Sequence, residues 1–211
     1  MHHRPRLALI VLSFLLVPSA LAANTSCLNV KMSPVPNVDM DRVRKTWLTW
    51  NNRLRTRQKL PLYRLNDYLN QTASNWSTYA LQRGFIDHKR TPGSSYYDYA
   101  GIERWFGQKG LQFANVHKVT FTENIGWGPY RCTSGDCTQA LIRAMRSTYS
   151  MYVAERTKKS KAHYNSMMNA EFKEIGVGMT VDPVAKRYYL TVHYGTKVTV
   201  SDRSACAENA Q

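Results

Sequence analysis

This sequence predicts an α+β layered domain. Helical patterns dominate its early part, two strand patterns close it around a reversing turn, and nothing alternates strand with helix as a parallel βαβ sheet requires. No internal repeat and no low-complexity segment interrupts the pattern.

Residues 24–38, "NTSCLNVKMSPVPNV", mix proline, serine and asparagine without period and read as an extended lead-in. Asp39 can cap a helix on which Val43, Trp47, Trp50 and Leu54 recur at helical spacing, and Pro61 ends it. A second helix opens at Asn66, carries Leu69, Ala73, Trp76 and Ala80 on one side, and stops at Gly84. The stretch "FIDHKRTPGSSYYDYAGIERWFGQKG" is mostly loop with a short helix around Ile102 to Phe106, and "KVTFTENIGWG" follows as a strand. Asp136 is placed to cap a helix with Leu141, Met145, Tyr149 and Tyr152 on one face. Ser160 is placed to cap a short last helix holding His163, Met167 and Met168. The strands "EIGVGMTV" and "RYYLTVHYG" flank "DPVAK", a hairpin signal.

The first 22 residues stand apart. Basic residues precede the apolar run "LALIVLSFLLVPSALA", which ends in Ala20-Leu21-Ala22, the form of a secretory signal peptide cut after Ala22. The run is short for a membrane span, and no later stretch is apolar enough for one. The expected organisation is a signal peptide at 1–22, a lead-in at 23–38, one domain at 39–200 and a tail at 201–211. Such a chain is secreted. Losing Arg4 and Arg6 lowers the formal charge from +15 to +13, which favours anionic partners such as lipid head groups or cell-envelope polymers. The basic residues are scattered, with "ERTKKSKAH" the densest cluster, which argues against a specific nucleic-acid site.

Export permits disulfides. Cys132 and Cys137 bracket the turn "TSGD" and can close a small ring; Cys27 and Cys206 would then tie the ends together. Four cysteines allow three pairings. Neither pair has the CxxC spacing of a zinc site.

With the leader removed, His88, His117, His163 and His193 remain. His88 follows the second helix, His163 opens the last one, Glu123 lies in "TENIGWG", and Glu155 precedes His163 by eight residues. Imidazoles and carboxylates from separated segments can build an open divalent-metal site, zinc foremost, or carry acid–base chemistry. His193 reads as a strand residue. No HExxH, GxSxG or phosphate loop is present.

"LPLYRLNDYLNQTASNWSTYALQRGFIDHKR", "FTENIGWG", "AHYNSMMNAEFKEIGVGM" and "RYYLTVHYG", in this order, resemble the CAP superfamily of cysteine-rich secretory, antigen 5 and pathogenesis-related 1 proteins, in its small secreted bacterial form. The resemblance implies a three-layer α-β-α sandwich whose cleft holds two histidines and two acidic residues. Matched motif by motif, these are His88, Glu123, Glu155 and His163, with His88 and His163 as metal ligands. Ala162 and Thr122 stand where the family usually has glycine, and Tyr152 where tryptophan is common. The function implied is a secreted protein whose cleft binds a divalent metal and a lipid, small apolar or envelope ligand. A metal-assisted hydrolase with Glu123 or Glu155 as base is the first alternative, and a basic adhesin for anionic surfaces the second.

Overall fold

Side-chain caps set where the helices begin. The computed structural model describes residues 34–115, 119–132 and 134–200, so the leader, Cys27, His117 and Cys206 lie outside the described residues. Helix α1 (Met40–Arg57) starts after Asp39, whose carboxylate accepts the Arg42 N–H, and α2 (Asp67–Arg83) starts after Asn66, which accepts from Leu69. Gly84 ends α2 at φ 74°, a left-handed conformation that costs glycine nothing. Strand β1 (Arg64–Leu65) joins these two helices. Helix α3 (Tyr99–Gln108) extends beyond the expected Ile102–Phe106, because Asp98 caps it by accepting the Gly101 N–H. Strands β2 (Leu111–Phe113) and β3 (Phe121–Pro129) lead to α4 (Thr138–Ala154). A turn of 3₁₀ helix (Glu155–Thr157) leads to α5 (Ala162–Met168), then β4 (Glu174–Asp182), β5 (Arg187–Gly195) and β6 (Val198–Val200) close the domain.

Two expected caps need correction. Cys137 holds the cap position of α4, and the Asp136 carboxylate instead accepts the N–H of the first helical residue, Thr138. Ser160 does not cap α5. The Glu155 carboxylate takes that role from a distance, accepting the N–H groups of His163 and Tyr164. A charged acceptor there satisfies two free donors at once.

The main sheet runs β1-β4-β5-β3, with β1 parallel to β4 and the other pairs antiparallel, while β2 and β6 form a separate antiparallel pair. Alternation sorts the side chains. Ile175, Val177, Met179, Leu190, Val192 and Tyr194 face one layer, packing with Trp47 of α1, Leu141 and Met145 of α4 and Met167 of α5. The opposite face carries Gly176 and Gly178 of β4. A Cβ on Gly176 would fall 2.1 Å from the Leu69 carbonyl carbon, and one on Gly178 2.0 Å from that of Ala73, so α2 lies directly on the strand. A second apolar cluster, Leu69, Ile102, Phe106, Leu111 and Phe121, joins α2 to α3 and the β2 end. The result is an α-β-α sandwich.

Arg55 fastens α5 into this frame. Fully buried, it donates to the carbonyls of Pro61, Met167, Asn169 and Phe172, and its guanidinium lies 3.9 Å from the Tyr63 ring centre. Cys132 and Cys137 are joined by a disulfide across a Cα–Cα distance of 5.7 Å, just before α4.

The glycine contacts give a paired prediction. Gly178→Ala must push α2 off the sheet and is expected to cost about 3 kcal/mol or more in urea unfolding. Gly107→Ala, in helix α3 with open space around the new methyl, is expected to stabilise by about 0.5–1 kcal/mol.

Candidate functional site

Glu123 sits on β3 with a side chain wholly removed from solvent, and four donor groups meet its two oxygens. His88 Nδ1 (2.8 Å) and Arg90 Nη1 (3.2 Å) reach Oε1, while Arg90 Nη2 (2.6 Å) and His193 Nε2 (2.8 Å) reach Oε2. Burial alone would raise this carboxyl's pKa. The charge of Arg90 and the bonds from His193 and His88 outweigh burial and hold it well below the ordinary carboxylate range. Glu123 is therefore ionised, and both imidazoles present N–H to it. His193 lies directly across the ladder from Glu123, and its Nδ1 is 3.0 Å from the Thr72 hydroxyl of α2. Burial holds His193 below the usual histidine pKa against the pull of Glu123, so Nδ1 accepts from Thr72. Arg90 is clamped between the Trp76 ring (3.3 Å to its centre) and the Trp105 ring (4.5 Å).

The second pair is more open. Glu155, at the end of α4, accepts His163 Nδ1 at 2.6 Å through one oxygen and the α5 N–H groups through the other. The His163 ring stacks on Tyr152 at 4.3 Å and 7°. The Tyr152 hydroxyl donates to the Ile125 carbonyl of β3, and Gly126 leaves the room: a Cβ there would meet that hydroxyl at 2.7 Å. His163 thus stands at the head of α5 because Glu155 caps the helix and orients the ring with the same carboxylate.

Strand alternation relates the two pairs. Glu123 and its neighbour Asn124 point to opposite faces of β3. Glu123 enters the α2 layer, whereas the Asn124 amide donates to the His163 carbonyl in the α5 layer (3.1 Å). Because β3 is an edge strand, the pairs lie on either side of a single strand at the sheet border. Tyr97 covers that border, its hydroxyl accepting the Glu123 N–H at 3.0 Å and meeting Thr122 Oγ1 at 3.1 Å. Thr122 also contacts the Ser166 hydroxyl of α5, so a position where the resemblance has glycine here links the loop to the helix. Tyr152, raised well above the ordinary phenol pKa by burial first, also feels the charges of both Glu155 and Glu123.

The structure thus joins His88 with Glu123 and Glu155 with His163. It adds Arg90 and His193, which the sequence reading left outside the site. His193 is a strand residue as expected, and its place opposite Glu123 makes it a cluster member. Among the described residues, no group of three or more His, Cys, Asp or Glu side chains is arranged to hold a metal ion. His88, Glu123 and His193 converge, but as donors on an acceptor. In both His–Glu pairs a carboxylate engages Nδ1, which makes Nε2 the nitrogen each ring can offer, the arrangement found behind metal-bound imidazoles.

Residues 48–194 match the family model of CAP, the cysteine-rich secretory protein family. The chain belongs to the CAP family. Comparison with curated protein sequences finds no match. Among solved structures, this CAP domain is similar to an outer surface protein from Borrelia burgdorferi (TM-score 0.52, 13% identity, covering 76% of this chain and 96% of that one). It is also similar to an extracellular SCP-domain protein from Bacillus anthracis (TM-score 0.51, 15% identity, 74% of this chain and 41% of that one). A third is the CAP domain of enterococcal PrgA (TM-score 0.52, 15% identity, 74% and 61%). This chain spans less than two thirds of the last two, and at these identities the likeness concerns the fold. Among the described residues, no helix of this CAP domain is long and apolar enough to cross a membrane.

The Glu123 cluster generates two expectations for stability. Glu123→Gln leaves Arg90 buried without its counter-charge and is expected to cost about 3–5 kcal/mol in chemical denaturation. Stability also has a definite pH profile. His193 is held below its ordinary 6.5 and Glu123 below its ordinary 4.5, so in both cases the unfolded chain takes up protons first. Both contributions are complete above pH 6.5. The urea midpoint should begin to fall as His193 protonates below 6.5, then drop more steeply below 4.5 through Glu123. Glu123→Gln should remove the lower step.

Proposed function

We propose that this CAP-domain protein is an exported binding protein in which His88 and His163 hold a divalent cation, zinc by ligand chemistry, through their Nε2 atoms. The observation that carries this reading is that each imidazole has its Nδ1 fixed by a carboxylate, which sets the tautomer a metal requires. Glu123 and Glu155 then act behind the ligands. When bound, the cation supplies a Lewis acid that can polarise an oxygen of the ligand. Export is supported by the leader-like start and the disulfide.

The ligand is a lipid group, a small apolar molecule or an envelope component. Beside Arg90, a cavity of about 210 Å³ is lined by Trp76, Tyr79, Trp105, Asn75 and Gln82. It is smaller than the usual 300–1,000 Å³ of a drug-sized site, which favours one ring or a short chain over a whole lipid. A hydrolase using Glu123 as base is disfavoured, since both its oxygens are occupied by cationic or N–H donors. Glu155 with His163 is the pair left for proton transfer.

Titrating Zn²⁺ into the protein by calorimetry tests the reading. One-to-one binding is expected, lost in His88→Ala/His163→Ala and weakened at least roughly tenfold in Glu155→Gln, which removes the charge behind His163. Circular dichroism must show each variant folded. Absent heat, or equal heat in parent and double variant, refutes the metal cleft.

A further inference from the structure

The far end of the sheet carries a surface that the cleft does not use. Trp127 lies four residues along β3 from Glu123, about 13 Å away at strand rise. It is 44% exposed, unusual for the largest apolar side chain. The turn between β4 and β5 comes up beside it and presents Val184 at 89% exposure. Asp182 makes that turn firm by accepting the N–H groups of Val184 and Ala185, and the Tyr130 N–H donates to the Lys186 carbonyl to fix its return. An open hollow of about 520 Å³ runs between Trp127, Pro129, Arg131, Ala185, Lys186 and Arg187.

Cations outnumber acids at this end. The Arg187 guanidinium lies 4.3 Å from the centre of the Trp127 ring, with Arg131 and Lys186 alongside. Among the described residues none of these three cations forms an ion pair, and Asp182, the nearby acid, is turned inward onto the backbone of its own turn. An exposed indole, an aliphatic tip and unpaired cations, held together by the end of β3 and the firm turn between β4 and β5, match the two parts of a membrane interface. The ring and tip enter the head-group boundary while the cations meet phosphate. A soluble polyanion would use the cations but offer nothing to Val184.

We infer that the Trp127–Val184 hairpin face is a docking surface for an anionic phospholipid membrane, acting independently of the His–Glu cleft. The experiment is co-sedimentation of the protein with phosphatidylcholine vesicles, with and without phosphatidylglycerol. Binding is expected only to the anionic vesicles. Arg131→Glu/Lys186→Glu should lower the partition coefficient at least roughly tenfold, and Trp127→Ala should lower it without changing net charge. Lys45→Glu/Arg53→Glu makes the same charge change on exposed sites of α1 and should lower it far less. His88→Ala/His163→Ala should bind like the parent, which separates this inference from the metal reading. Equal loss in both charge reversals, or undiminished binding by Trp127→Ala, overturns the proposal. So does a dimer in light scattering without vesicles that Trp127→Ala converts to monomer, which would make the face a contact between copies.

Discussion

A carboxylate buried without solvent is the constraint around which this domain is organised. Glu123 can remain ionised there only because Arg90 supplies the opposite charge and His88 and His193 complete its hydrogen bonds. The partners come from two distant segments: His88 and Arg90 from the loop after α2, His193 from β5. Satisfying one side chain therefore fixes a long loop against the sheet. Trp76 and Trp105 extend the effect, since both rings enclose Arg90 and so tie α2 to α3 through a cation. With both oxygens engaged by charged or N–H donors, this carboxylate favours one arrangement over its near alternatives.

The scaffold holds the site through contacts that tolerate little change. The small residues of β4 let α2 approach until backbone meets backbone, and that closeness brings Thr72 to His193 and Ser77 to Thr191. On the opposite side, Arg55 collects the carbonyls at the end of α5 while Glu155 collects the amides at its start. Seven residues make a helix too short to be stable alone. Its two ends are held by buried or half-buried charges of opposite sign, and His163 inherits that order.

The sequence made the large elements legible because their signals are local. Asp39, Asn66 and Gly84 cap through neighbours within a turn, and the Asp-Pro reversal between β4 and β5 is written in adjacent residues. The pairing of Cys132 with Cys137 is local in the same sense. The four cleft residues came from resemblance, since nothing in the spacing of His88, Glu123, Glu155 and His163 reveals two separate pairs. Arg90 was visible as the residue after Lys89 in "DHKR", yet one basic residue among 29 carries no signal until its counter-charge is placed. His193 needed the β3–β5 register, and the cap of α5 needed Glu155 brought back from eight residues away. Ser160, in the cap position by sequence, lost to a charged acceptor that only the turn after α4 could deliver.

Tyr97 and Tyr99 have a consequence beyond the cleft. Strand β3 ends the sheet, and its outer side would expose a row of backbone donors and acceptors to any passing extended chain. The Tyr97 hydroxyl occupies the Glu123 N–H, and the Tyr99 hydroxyl occupies that of Thr120. The Tyr97 phenol thus stands on the outer edge of β3, and the Tyr99 phenol holds the residue that leads into it. The loop that brings His88 and Arg90 to Glu123 also works as a guard against edge-to-edge pairing, so a change there that spared both residues would still open that edge to association.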